Sequence, residues 1–239
     1  MGLNKAKGRM FKSVGWTWNP LGGCSHDCKY CYAAQLMKRW GKDFTPNFRS
    51  NFLEDKMPED HSWIFVGSMG DTFCEGMKTE WIEQLFTFIE RYSGNNKFLL
   101  QTKNPRRFEN YELEKIKHKV ILGTTLETTG NTSTFSSAPS PIERFTYLRM
   151  MKRNGFKTFL SLEPLADFGF NTMVRWIAAI EPEAVEIGLE NYTKYTTPPP
   201  EKKIRSLLDW LDDNGFPYIL KENLKHLYTR PDGDYPDEE

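Results

Sequence analysis

The stretch Cys24-Ser25-His26-Asp27-Cys28-Lys29-Tyr30-Cys31 gathers three of the chain's four cysteines into eight residues. Three thiols so close cannot all pair with one another, and a loop of this length directs them toward a common centre, the arrangement of a metal or cluster site. The fourth cysteine, Cys74, stands far downstream. Two chemistries suit the triplet. A structural zinc site needs a fourth ligand, a place His26 can take, but such sites usually come as two separated ligand pairs and no second pair follows at finger spacing. An iron–sulfur cluster on three thiolates leaves one iron without a protein ligand, and an open iron is a place for chemistry.

The rest of the chain has the bounds of a soluble enzyme. At 239 residues, with 38% hydrophobic and 27% charged, it suits one domain of barrel size. No apolar run approaches a membrane span and the N-terminus lacks a signal-peptide core, so a cytoplasmic protein with reduced thiols is expected. The formal net charge is zero, which argues against binding nucleic acid by bulk electrostatics. The distribution is uneven, however. Residues 1–50 carry nine Lys or Arg against Asp27 and Asp43, so the end that bears the cysteines is basic, either as ordinary solvated surface or as a seat for a polyanion.

Seven short apolar or β-rich runs punctuate the sequence: Ser13 to Trp18, Trp63 to Gly67, Lys97 to Thr102, Val120 to Leu126, Lys157 to Leu162, Ala184 to Leu189 and Pro217 to Leu220. Between them, Thr79 to Tyr92, Ile142 to Met151, Met173 to Ile180 and Glu201 to Asp213 carry apolar residues at helical spacing. Strand and helix in alternation predict an α/β fold of parallel strands with helices outside, as an open sheet or a barrel. The segment Thr128 to Pro141 is rich in Thr, Ser, Gly and Pro and is expected to be a mobile cover. Three prolines ending at Pro200 preset the start of the Glu201 helix. Residues 1–228 are expected to form one domain, and 229–239, with five acidic residues against Arg230, a disordered tail.

Cys-x3-Cys-x-aromatic-Cys, with Tyr30 in the aromatic slot, resembles the signature of the radical S-adenosylmethionine (SAM) superfamily. That resemblance implies a partial barrel of six βα units, a partial (β/α)6 TIM-like barrel here with an extra C-terminal strand, and places the cysteine loop after the first strand. It further implies a 4Fe-4S cluster on Cys24, Cys28 and Cys31, with SAM on the fourth iron. One electron from a donor such as a flavodoxin or ferredoxin then cleaves SAM to methionine and a 5′-deoxyadenosyl radical. Tyr30 is expected near the adenine.

In parallel barrels functional residues gather where strands end. The second run exits at Ser68-Met69-Gly70-Asp71, where the superfamily usually has a Gly-Gly-Glu motif that holds the SAM amine; the location matches, while Met69 and Asp71 depart from its letters. Lys103, at the third exit, resembles the SAM-carboxylate contact of spore photoproduct lyase and its relatives. Glu127, at the fourth, matches the place from which the family often binds the ribose. Trp16 and Trp18 are expected to pack. Cys74 is expected to be a small buried hydrophobe dispensable for SAM cleavage, and Glu163, Glu190 and Lys221 to line a polar pocket.

Thr17-Trp18-Asn19-Pro20 and Ser161-Leu162-Glu163-Pro164 look like a group widespread in phages and bacteria. Glu190-Asn191-Tyr192 and Lys221-Glu222-Asn223 resemble proteins related to spore photoproduct lyase. By that analogy and the basic cysteine end, the expected substrate is a nucleic acid or nucleobase, for repair or modification. A zinc-binding nucleic-acid module and an iron–sulfur electron carrier without SAM are the alternatives.

Overall fold

A computed structural model describes residues 2–191 and 194–227. The acidic tail and Tyr192, on which expectations were placed, lie outside the described residues. In chain order, β1 (Leu3–Lys5) and β2 (Trp16–Trp18) precede a small antiparallel pair, β3 (Leu21–Gly22) and β4 (Asn47–Phe48), which flanks α1 (Tyr32–Arg39). Then follow β5 (Trp63–Val66), α2 (Thr79–Arg91), β6 (Lys97–Gln101), β7 (Val120–Thr125), α3 (Pro141–Arg153), β8 (Lys157–Leu162), α4 (Phe170–Ile180), β9 (Val185–Ile187), α5 (Glu201–Asp213) and β10 (Tyr218–Leu220). The main sheet has the order β1-β2-β5-β6-β7-β8-β9-β10, parallel throughout except for β1 against β2. Each of the seven expected runs contains one of its parallel strands.

The sheet curls into a half-barrel, as alternate side chains show. Ile64, Val66, Phe98, Leu100, Val120, Leu122, Leu160, Leu162, Val185 and Ile187 pack outward with the helices. Their neighbours Phe65, Leu99, Ile121, Phe159 and Ala184 form a second, inner cluster with Val14 and Phe11, the period-2 alternation of strands buried on both faces. Residues 6–15 cross the open side of the curl. Ser13 donates from its N–H and hydroxyl to Glu186 Oε1 at 2.8 and 2.7 Å, Lys221 Nζ donates to the Arg9 carbonyl at 2.9 Å, and the Phe11 ring lies 5.3 Å from Phe65 and 5.1 Å from Phe159.

Two details differ from the sequence reading. The crossover from β6 to β7 is made by two 3-10 helices, Pro105–Asn110 and Leu113–Lys119, because each offers only one apolar pair three apart (Pro105 with Phe108, Leu113 with Ile116). The sheet also begins with β1, too short and polar to be read as a strand. Trp18 packs as expected, fully buried with its indole N–H donating to Asp55 Oδ2 at 2.6 Å.

Candidate active site

The cysteine loop is fastened to the exit of β5 before its chemistry begins. Gly23 N donates to Met69 O and Asp71 N donates back to Gly23 O, each at 3.1 Å, so Gly23 and Gly70 form a parallel bridge. Only glycine fits on either side: a Cβ on Gly23, whose φ is +75°, would lie 2.0 Å from Thr45 O, and one on Gly70 would lie 2.3 Å from Gly23 O. Asn19, from the Trp-Asn-Pro turn, accepts from Met69 N at 2.8 Å and from the Ser68 hydroxyl at 3.2 Å.

Cys24, Cys28 and Cys31 line one cavity of about 370 Å³ at the carboxyl ends of the strands, together with Ser68, Gly70, Asp71 and Lys103. None is in a disulfide. Each sulfur meets a donor suited to a thiolate: His26 N at 3.4 Å from Cys24, the Ser136 hydroxyl at 3.1 Å from Cys28, and Ala34 N at 3.5 Å from Cys31, which caps α1. Three cysteines lining one cavity, each sulfur with a polar donor, form a donor set that fits an iron–sulfur cluster. Cys74 is fully buried as expected. Its thiol lies in hydrogen-bonding reach of Cys24, and that bond lowers the Cys74 pKa to about 7, while the same bond and burial push Cys24 up. Burial likewise raises Cys28.

Asp71 is buried and saturated. His26 Nε2 lies 3.0 Å from Oδ2, Lys103 N donates to Oδ2 at 2.9 Å, and Thr102 Oγ1 and Phe73 N donate to Oδ1 at 2.7 and 2.9 Å. Burial alone would raise its pKa, but His26 and the other donors outweigh it and hold the carboxyl at about 2. Asp71 therefore braces the cysteine loop, β5 and β6 together; its carboxylate has no lone pair in reserve for the SAM amine. The atoms of Cys24, His26 and Asp71 also fall within 4.8 Å of one another, the spacing of a metal group. His26 and Asp71 bond directly to each other there, and Cys28 and Cys31 are not of that group.

Lys103 faces the cavity, its Nζ 5.5 Å from the centre of the Tyr30 ring and 3.8 Å from Glu127 Oε1. Burial would lower its pKa; Cys28 and Glu127 outweigh that and raise it, keeping the ammonium charged. Glu127 sits elsewhere than expected. It is 0% exposed, behind the cavity wall, with Arg144 Nη1 donating to Oε2 at 2.6 Å and the Tyr30 hydroxyl donating to Oε1. Burial would raise its pKa, and Arg144, Lys103 and Tyr30 outweigh burial and lower it. A carboxylate so enclosed cannot reach a ribose, and that role is not retained. Tyr30 is correspondingly held by its hydroxyl, its ring 5.7 Å from Phe135. Met69 serves by its backbone and is not a cavity residue.

The polar segment after β7 is a fixed wall and not a loose cover. Thr132, Phe135 and Ser136 are buried, and Ser137 N and Lys29 N join it to the cysteine loop, donating to His26 O and Phe135 O at 2.7 and 2.9 Å. Arg144, which the sequence reading missed, is legible afterwards: with Leu148 and Met151 it stands on the buried stripe of α3, where a solvated arginine would not be. Across the cavity, Glu163, Glu190 and Lys221 line the wall as expected.

Residues 11–179 match the sequence profile of a family described as "Protein of unknown function (DUF5131)". The chain belongs to the DUF5131 family. No curated protein matches it. Among solved structures, this DUF5131 chain is similar to a double mutant of spore photoproduct lyase with bound AdoMet and dinucleoside spore photoproduct, at 13% identity and a TM-score of 0.59, over 86% of this chain and 63% of that one. A single mutant of the same lyase gives 12% identity and 0.64 over 92% and 78%. A radical SAM methyltransferase from Sphaerobacter thermophilus gives 14% and 0.57 over 86% and 66%. The chain thus spans about two thirds of the length of these proteins, and what it shares with them is the fold of radical SAM enzymes. No helix among the described residues is long and apolar enough to cross a membrane.

Proposed function

We propose that this DUF5131 chain is a radical SAM enzyme, with a 4Fe-4S cluster on Cys24, Cys28 and Cys31 and SAM bound beside it. The observation that carries this is the convergence of the three thiols with Lys103 and the β5 exit on one cavity, at the end of the sheet where parallel barrels keep their sites. The cluster, when bound, supplies one electron from a flavodoxin or ferredoxin to cleave SAM into methionine and a 5′-deoxyadenosyl radical. Lys103 brings a charged donor to the SAM carboxylate. Ser68 and Gly70 stand at the amine end of the site, and Asp71 orders that end through His26, Thr102 and Lys103. Tyr30, fixed by Glu127, keeps its ring toward the adenine side, and the wall at Phe135 and Ser136 excludes water from the thiols.

The substrate is a nucleic acid or nucleobase, supported by the basic N-terminal residues Lys7 and Arg9 on the cavity wall and by the dinucleoside ligand of the structurally similar lyase. The protein works in the reducing cytoplasm. A zinc site centred on Cys24, His26 and Asp71 is the competing reading. Anaerobic reconstitution followed by metal analysis and electron paramagnetic resonance separates the two: about four irons per chain and a reduced-cluster signal support the proposal, and stoichiometric zinc without iron would sink it.

A further inference from the structure

Three layers of side chains climb the inner face of the sheet. The lowest, Phe65, Leu99, Ile121 and Phe159, is apolar and closed by Phe11. The uppermost holds the charged exits. Between them, one pleat above Leu99, Ile121 and Phe159, stand Gln101, Gly123 and Ser161, with Thr125 the register partner of Ser161. A barrel needs no polar middle layer in order to fold. Apolar residues there would pack as well, and a buried polar group without a partner costs stability.

Among the described residues three such groups occur in this layer. The Ser161 hydroxyl, on a residue 1% exposed, and Gln101 Oε1 have no hydrogen-bond partner, while Gln101 Nε2 is anchored on Thr125 Oγ1 at 2.9 Å. The third, Glu186 Oε2 on the register partner of Ser161, has Lys221 Nζ 3.3 Å away to balance its charge. Gln101 and Ser161 line the cavity. Beside them Glu163 lies 3.5 Å from Lys221 Nζ. Where it lines the cavity the layer thus offers the neutral donors and acceptors of Gln101, Thr125 and Ser161, flanked by the Phe11 and Phe65 rings, with the exposed Lys7 and Arg9 at the rim.

We infer that Gln101 and Ser161 form the substrate subsite, reading the hydrogen-bonding edge of a nucleobase inserted into the barrel while Lys7 and Arg9 receive its phosphate. A carboxamide beside a hydroxyl matches the adjacent N–H and C=O or N of a base edge, and aromatic or apolar flanks hold the ring of an extruded base. Cations at the rim match the phosphate. The inference rests on the radical SAM reading of the same cavity and assigns its floor, between the apolar layer and the charged strand exits.

Anaerobic calorimetry on cluster-loaded protein saturated with SAM tests it, using uridine and adenosine 5′-monophosphate, the corresponding nucleosides, and a short single-stranded oligonucleotide. Binding in the presence of SAM is expected, weakened roughly five- to tenfold by Ser161→Ala or Gln101→Leu, with SAM affinity kept. Lys7→Ala should weaken the monophosphates and leave the nucleosides unchanged. Nucleotides that displace SAM, or variants that bind them as wild type does, overturn the subsite. SAM binding with no response to any nucleotide, nucleoside or oligonucleotide overturns it too, while leaving the radical SAM reading intact. Failure to bind SAM at all would instead remove that reading.

Discussion

Arg144 Nη1 lies 2.6 Å from Glu127 Oε2 with both side chains wholly buried. Glu127 also takes the Tyr30 hydroxyl, so an ion pair between α3 and the end of β7 fixes the cysteine loop from behind. Breaking a buried pair from one side strands a charge and costs about 3–5 kcal/mol. Arg144→Met should lower stability by about that much in urea unfolding, and Arg144→Met combined with Glu127→Leu should recover part of it. A loss below about 1 kcal/mol in the single variant would show that the pair does not brace the fold.

On the proposed reading Lys103 meets the SAM carboxylate, and its backbone N–H, bound to Asp71, is indifferent to the side chain. Lys103→Ala should weaken SAM binding on the order of ten- to a hundredfold, the loss of one charge-assisted hydrogen bond, with iron content unchanged. Equal SAM affinity in equilibrium binding would remove Lys103 from the site.

Asp71 gives the account a pH signature. Its carboxyl is held at about 2 against an ordinary 3.8, so it contributes about 2 kcal/mol of stability, present in full above the unfolded value and lost as pH falls through about 2. The stability gap between wild type and Asp71→Asn should shrink steadily from pH 5 to pH 2. A gap that stays constant over that range would mean the four donors do not hold the ionised form.

The bridge between Gly23 and Gly70 predicts a cluster defect without loss of any ligand. Gly70→Ala puts a methyl group 2.3 Å from Gly23 O, forcing the cysteine loop off the β5 exit, and should reduce the iron retained after reconstitution. Gly130→Ala, whose Cβ meets nothing nearer than 3.5 Å, is the control. Cys74→Ala should also retain its iron, because Cys74 is buried and does not line the cavity. Loss of the cluster there would mean the ligand set is wrong.

The seven parallel strands were legible because each is a short run of mostly apolar or β-branched residues that polar punctuation separates from the next. The cysteine triplet and the cavity-facing Lys103 were legible for the same local reason, a charged or ligating residue just beyond a run. What escaped was tertiary. Arg144 reads as one more helix charge until Glu127 is found behind it, and Glu127 reads as a strand-end carboxylate until Arg144 is. Asp71 and His26 each suggested a ligand by residue type, yet they bond to each other across 45 positions of sequence. Gln101 and Ser161 are ordinary polar residues in the sequence; only the curl of the sheet makes them neighbours above an apolar floor.

The most direct measurement is 5′-deoxyadenosine formation. Reconstituted anaerobically and reduced with dithionite in the presence of SAM, the protein should release 5′-deoxyadenosine and methionine in equal amounts, and Cys24→Ala, Cys28→Ala and Cys31→Ala should each abolish the product. A fully loaded, reduced cluster that binds SAM and yields no 5′-deoxyadenosine, with or without nucleotide substrates, would contradict the account.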